Sequence, residues 1–138
     1  MKPLFAVLPA LLLAPTALAA PKPAPGPNWN RGTPLTVTMT NQGFVPARLA
    51  LRQGGQYILR IRNPSDRTHS FSAKEFFGLA RVSPADQAWI PRNEVELKPG
   101  QSATLHLVAP TTPGAMYYFK STRVADAATK FKGAITVR

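Results

Sequence analysis

Residues 116–138 read MYYFKSTRVADAATKFKGAITVR, a strand Met116–Ser121, a polar loop Thr122–Lys130 and a closing strand Phe131–Arg138. In a small exported β-sandwich, a loop between the last two strands can close a metal site. This loop contains no cysteine, no histidine and no methionine. It has the position of a ligand loop and lacks the donors, and most of the functional argument turns on that mismatch.

The segments before it share the same strand grammar. In LTVTMTN (35–41), Leu35, Val37 and Met39 alternate with Thr36, Thr38 and Thr40, a period of two that marks a half-buried strand. RLALR (48–52) turns Leu49 and Leu51 inward, and QYILRIRN (56–63) does the same with Tyr57, Leu59 and Ile61. Gln53-Gly54-Gly55 between them reads as a turn, so the pair is expected to form a hairpin with arginines outside. THSFSA (68–73) is a further strand with Phe71 inward, and KEFFGLA (74–80) is the one helix-like piece, weakened by Gly78. Arg81 to Asn93, with Pro84 and Pro91, reads as an irregular crossover. Glu94–Leu97 and Ser102–Ala109 are strands joined by the Lys98-Pro99-Gly100-Gln101 turn. About seven short strands, frequent turn signals and little helix predict an all-β sandwich or barrel. No internal repeat is visible.

The N-terminus stands apart. Met1-Lys2-Pro3, the apolar run Leu4–Leu13 and Ala17-Leu18-Ala19 have the form of a secretory signal peptide over 1–19. The run is too short to span a bilayer, which needs about 20 apolar residues. The expectation is a periplasmic or secreted protein with a Pro-rich flexible tail over 20–32, a folded domain over 33–138 and no transmembrane segment in the mature chain.

With no cysteine, the chain excludes disulfides, thiol redox chemistry, iron–sulfur ligation and a thiolate nucleophile. The 17 Lys and Arg against 6 Asp and Glu give +11. Loss of Lys2 with the leader leaves 16 against 6, or +10. A basic protein of this kind favours an acidic protein or anionic surface as partner, or simply stays soluble; nucleic acid is not expected for an exported chain.

Several segments together resemble the cupredoxins, the small blue-copper β-sandwich proteins. They are LTVTMTNQGFVPARLALRQGG, YILRIRNPSDRTHSF, VELKPGQSATLHLVAPTTPGAMYYF and FKGAITVR, in family order. Asn63, a few residues before His69-Ser70-Phe71, matches the asparagine that precedes the first copper-ligand histidine in that family. HSFSAKEFFGLARV (69–82) is similar to a periplasmic subgroup related to iron-uptake proteins. The resemblance implies a Greek-key β-sandwich with one short helical segment.

A blue-copper site uses two imidazoles, a thiolate and a weak axial thioether. Counting back from Lys132-Gly133, the resemblance puts the cysteine place at Ser121, the second histidine at Asp126 and the methionine at Phe131. A one-residue shift at Pro113-Gly114 puts the cysteine place at Lys120 instead. Of the four ligand positions only His69 is kept, so a type 1 centre is not expected. Metal could still reach His69 with Asp126 or Met116 as co-ligands, although Met116 fits the core equally well.

An Asp126–His69 hydrogen bond is the other expectation for these two, set against a surface ion pair of Asp126 with Arg123 or Lys130. Ser121, His69 and Asp126 have the residue types of a nucleophilic triad, without a nucleophile-elbow pattern. His106 is expected on the exposed face. The reading is non-enzymatic, with no assigned cofactor and no catalytic residue. It is an exported binding module on a degenerate cupredoxin scaffold; the alternative is a copper-handling protein using His69 with non-cysteine ligands.

Overall fold

The computed structural model describes residues 26–138; the expected signal peptide and the first part of the expected tail lie outside them. The strands are β1 (Thr33–Met39), β2 (Phe44–Val45), β3 (Arg48–Leu51), β4 (Gln56–Arg62), β5 (His69–Ser72), β6 (Arg81–Val82), β7 (Glu94–Leu97), β8 (Ser102–Val108), β9 (Met116–Lys120) and β10 (Lys132–Val137), with one helix, α1 (Lys74–Leu79). They form two five-stranded sheets, ordered β2-β1-β4-β8-β6 and β3-β10-β9-β5-β7. The count exceeds the expected seven partly through two-residue strands such as β2 and β6, too short to show a period. The expected crossover over 81–93 holds β6 and two 3-10 turns, Pro84–Trp89 and Pro91–Asn93.

The alternating residues face each other across the sheets. Val37, Met39, Leu59, Ile61, Leu105 and Leu107 of the first sheet meet Phe71, Val95, Leu97, Phe119, Ile135 and Val137 of the second, all 0–2% exposed. Burial of this apolar area is the main term holding a cysteine-free sandwich together. At one end Phe44 packs edge-on against Phe71, Phe119 and Phe131, with centroids 5.6, 5.0 and 4.8 Å away. Phe76 and Phe77 of α1 cover a neighbouring part of the core.

The expected hairpin of RLALR with QYILRIRN does not form. β4 is bonded on one side to β1, in parallel, and on the other to β8, antiparallel, so it has no edge left for β3. β3 instead runs parallel to β10 in the opposite sheet. The Gln53–Gly55 turn carries the chain between sheets. Gly54 takes a φ of +66°, and the Arg52 amide donates to the Tyr57 hydroxyl at 2.7 Å. Alternation shows which face of a strand is buried; it does not name the partner.

Two hydrogen bonds fall at the end of the expected tail. Asn28 accepts from the Asn30 amide at 3.1 Å through its side chain, and its carbonyl accepts from Gln56 Nε2 at 3.3 Å. An asparagine bonding its own backbone two residues on makes a local turn that a Pro-rich composition does not reveal.

Gly133 lies opposite Phe119 in the β9–β10 ladder. A Cβ there would overlap the Phe119 ring and stand 2.5 Å from the Ala47 carbonyl oxygen. Gly133→Ala is therefore expected to cost about 1–3 kcal/mol, the range for overpacking a filled site. Urea unfolding checks this, and an unchanged midpoint contradicts it.

Candidate functional site

His69 opens β5, and the loop between β9 and β10 folds over it. The loop contains a short 3-10 turn, Val124–Asp126, whose last side chain points inward. His69 and Asp126 are 0% and 2% exposed, and His69 Nδ1 stands 2.7 Å from Asp126 Oδ2. Asp126 is thus a buried partner of histidine. The surface ion pair with Arg123 or Lys130 is absent among the described residues; Arg123 reaches Glu96 at 3.3 Å instead. Burial explains the choice, since a carboxylate out of water needs a close donor.

The same Asp126 oxygen accepts the Ser121 hydroxyl at 2.5 Å. Ser121 therefore faces the site, whereas Lys120 is exposed, so of the two expected cysteine places only Ser121 lies beside His69 and Asp126. The hydroxyl donates to the carboxylate, not to the imidazole, so Ser121, His69 and Asp126 do not line up as serine–histidine–carboxylate relay. Asp126 Oδ1 is buried with no hydrogen-bond partner.

The other imidazole nitrogen, Nε2, lies 3.1 Å from Asn41 Oδ1. The orientation of this amide is set by two neighbours. Its Nδ2 donates to Asp66 at 2.8 Å, and its Oδ1 accepts from Arg67 Nε at 3.3 Å. Both ring nitrogens of His69 therefore face side-chain oxygens. Neither has a lone pair aimed at free space. Phe131 stacks on the ring with centroids 4.6 Å apart and planes at 24°.

A second layer of hydroxyls surrounds the pair. Ser70 Oγ accepts from the Thr122 amide at 2.8 Å and lies 3.0 Å from Thr122 Oγ1, which donates to Glu94. The Ser70 amide donates to Ser121 Oγ at 3.3 Å. Asn63, buried, donates from Nδ2 to the Arg67 and Leu97 carbonyls at 2.7 and 2.8 Å. It fixes the turn that leads into His69.

Met116 is not in this site. It begins β9, at the opposite end from Ser121, and is 52% exposed, so it is neither core nor beside His69. His106 is half-buried rather than free on the surface, because Asp86 Oδ2 accepts from both its backbone amide and its Nδ1 at 2.8 Å. Sequence reading missed Asn41 and the Ser70–Thr122–Glu94 chain. The threonine alternation ending at Asn41 was the available signal, but polar residues at strand ends are common and the contacts span the fold.

No protein-family model matches the chain, and no curated protein matches it. Solved structures do. A dithionite-reduced auracyanin from the photosynthetic bacterium Roseiflexus castenholzii superposes with a TM-score of 0.57 at 19% identity, covering 78% of this chain and 98% of that one. The fold is that of a cupredoxin. Auracyanin B gives 0.55 at 15% identity, covering 77% and 88%. Auracyanin A, a blue copper protein from Chloroflexus aurantiacus, gives 0.50 at 14%, covering 76% and 99%.

The residues of this cupredoxin fold do not fit type 1 copper. The chain has no thiolate, both nitrogens of the kept imidazole are engaged, and an aromatic ring stacks on it. The donor set is hard oxygen and hydrocarbon where a soft sulfur pair is required. Among the described residues no group of three or more His, Cys, Asp or Glu side chains converges to hold a metal.

Two outcomes follow. Asp126→Ala leaves the imidazole buried opposite nothing and is expected to cost about 3–5 kcal/mol by chemical unfolding. A loss under about 1 kcal/mol, the range of an exposed pair, contradicts the buried-pair assignment. The second concerns Asp66. Hydrogen bonds from the Asn41 side chain and its own backbone hold its carboxyl below the usual 3.8. Its contribution is complete above that value and is lost as pH falls through the lowered one. The Asn41 side-chain amide resonances should shift with a midpoint below 3.8. A midpoint above it contradicts the contact.

Proposed function

We propose that this chain is an exported, non-enzymatic binding module on a cupredoxin scaffold, with an acidic protein as partner. The observation that carries the reading is the state of His69. Its two nitrogens are taken by Asp126 and Asn41, and the loop that would complete a copper centre offers Ser121, Asp126 and Phe131. A buried hydrogen-bonded pair thus occupies the place of the metal and gives the loop a fixed shape without it. The scaffold is left with its surfaces. The N-terminal sequence supports export, and the charge of +11 supports an acidic partner. The charge is also poorly compensated within the fold. Arg123 is the one Lys or Arg in an ion pair among the described residues.

The alternative, copper handling through His69 and Asp126, requires the ring to leave Asp126 or Asn41 and to recruit further ligands, since Met116 lies at the far end of β9. Asp126 Oδ1, which has no hydrogen-bond partner, is the one observation in its favour.

Titration of the apo protein with Cu(II) is expected to give no intense blue band. Calorimetry with Cu(I) and Cu(II) is expected to show no one-to-one complex as tight as micromolar, or about −8 kcal/mol. A complex of that strength that is abolished by His69→Ala overturns the binding-module reading in favour of copper handling.

A further inference from the structure

We propose that the groove between α1 and the β9–β10 hairpin binds an acidic segment of a partner protein. This rests on the binding-module reading and gives the module its site. The groove has a volume of about 640 Å³ and is lined by Ser72, Lys74, Glu75, Tyr118, Lys120 and Lys132 among others.

The lysines are arranged against the interest of the free fold. Lys120 and Lys132 sit directly opposite each other across the antiparallel β9–β10 ladder. Like charges at paired positions destabilise a sheet. Lys74 adds a third charge from the start of α1. None of the three has an ion-pair partner among the described residues.

The chain has little to offer them. Of its six acidic side chains, Asp66 bonds Asn41, Asp86 bonds His106, Glu94 bonds Thr122, Glu96 bonds Arg123, and Asp126 bonds Ser121 and His69. Only Glu75 remains, on the groove wall. An incoming carboxylate therefore meets unpaired ammonium groups, and its binding relieves the repulsion between Lys120 and Lys132.

Tyr118 supplies the apolar contact. It is 71% exposed on the outer face of β9, between Lys120 and the small Ala134 opposite it. A tyrosine ring gives large contact area at small entropy cost and is enriched where binding energy concentrates. Gly133 also lines the groove, and the buried Phe119 ring behind it leaves no room for a side chain on its core side.

Charge selects the occupant. A second copy of this chain carries the same net positive charge, and the N-terminal region before Thr33 contains Lys22 and Arg31 with no acidic residue. Both are repelled. A bilayer is flat, whereas this site is concave with Glu75 in its wall, which admits a narrow segment with carboxylates placed toward the lysines. The segment that fits carries spaced Asp or Glu with an apolar residue between them for Tyr118.

The test uses the mature protein and a fluorescein-labelled peptide of alternating glutamate and leucine, followed by anisotropy at low salt. Vesicles of phosphatidylglycerol serve as the second probe. The expected result is peptide binding that weakens with salt. It should fall by about tenfold or more in K74E/K120E/K132E and by about threefold or more in Tyr118→Ala, with the matched reversal R60E/R62E/R81E on the other sheet having a smaller effect. In the wild-type protein, the amide resonances of Lys120 and Gly133 should move on peptide addition, a readout independent of any variant's folding. Equal weakening by the two reversals, or resonance shifts elsewhere, overturns the groove assignment and leaves the binding-module reading standing. Binding to vesicles with none to the peptide also overturns it. A tight copper complex lost in His69→Ala fails the parent reading and leaves peptide binding at the groove separately measurable.

Discussion

One buried contact, His69 Nδ1 to Asp126 Oδ2 at 2.7 Å, joins the closing loop to the sandwich. Both groups are out of water, and each makes the other tolerable there. A lone carboxylate or imidazolium at this depth is strongly disfavoured. The Ser121 hydroxyl, the Asn41 amide and the Phe131 ring complete the enclosure. Asn41 extends the chain of bonds outward to Asp66 and Arg67 at the surface. The loop is thereby attached to β5 and to the end of β1.

In the cupredoxin fold, this organic network does what a metal does elsewhere: it crosslinks distant segments through one point. Asp126 and His69 are 57 residues apart in sequence. The arrangement differs from a metal centre in kind. A metal site presents lone pairs to an electrophile, whereas here both imidazole nitrogens are hydrogen-bonded to side-chain oxygens. The chain has no thiolate to offer a soft metal, and hydrogen bonds and aromatic stacking hold the loop. The site is buried with the core, and the proposed partner surface lies outside it, on the cationic face built by β9, β10 and α1.

Much of the strand plan was legible. The alternation in LTVTMTN and SATLHLV predicts the inward residues Val37, Met39, Leu105 and Leu107, because a pleated strand turns successive side chains to opposite sides. The Asp126–His69 contact was open to inference only through the family resemblance that set both residues at ligand positions. The partner of β3 was hidden, since Leu49 and Leu51 bury equally well in either sheet. Met116 was hidden too: a flexible apolar residue carries no mark of which strand end it occupies.

By itself, the sequence determined the class of fold, the absence of thiolate chemistry and the excess of positive charge. These depend on composition and on short-range period, which act residue by residue. Tertiary structure alone decided that β3 pairs with β10, that Asn41 occupies the second nitrogen of His69, and that Lys74, Lys120 and Lys132 surround one groove. Those facts depend on which distant segments meet. Backbone pairing and burial set that for the chain as a whole, and no local window contains it. The stretch 116–138 therefore carries two meanings: its residues exclude a copper thiolate, and its fold turns the same stretch into a sealed loop beside an open cationic groove.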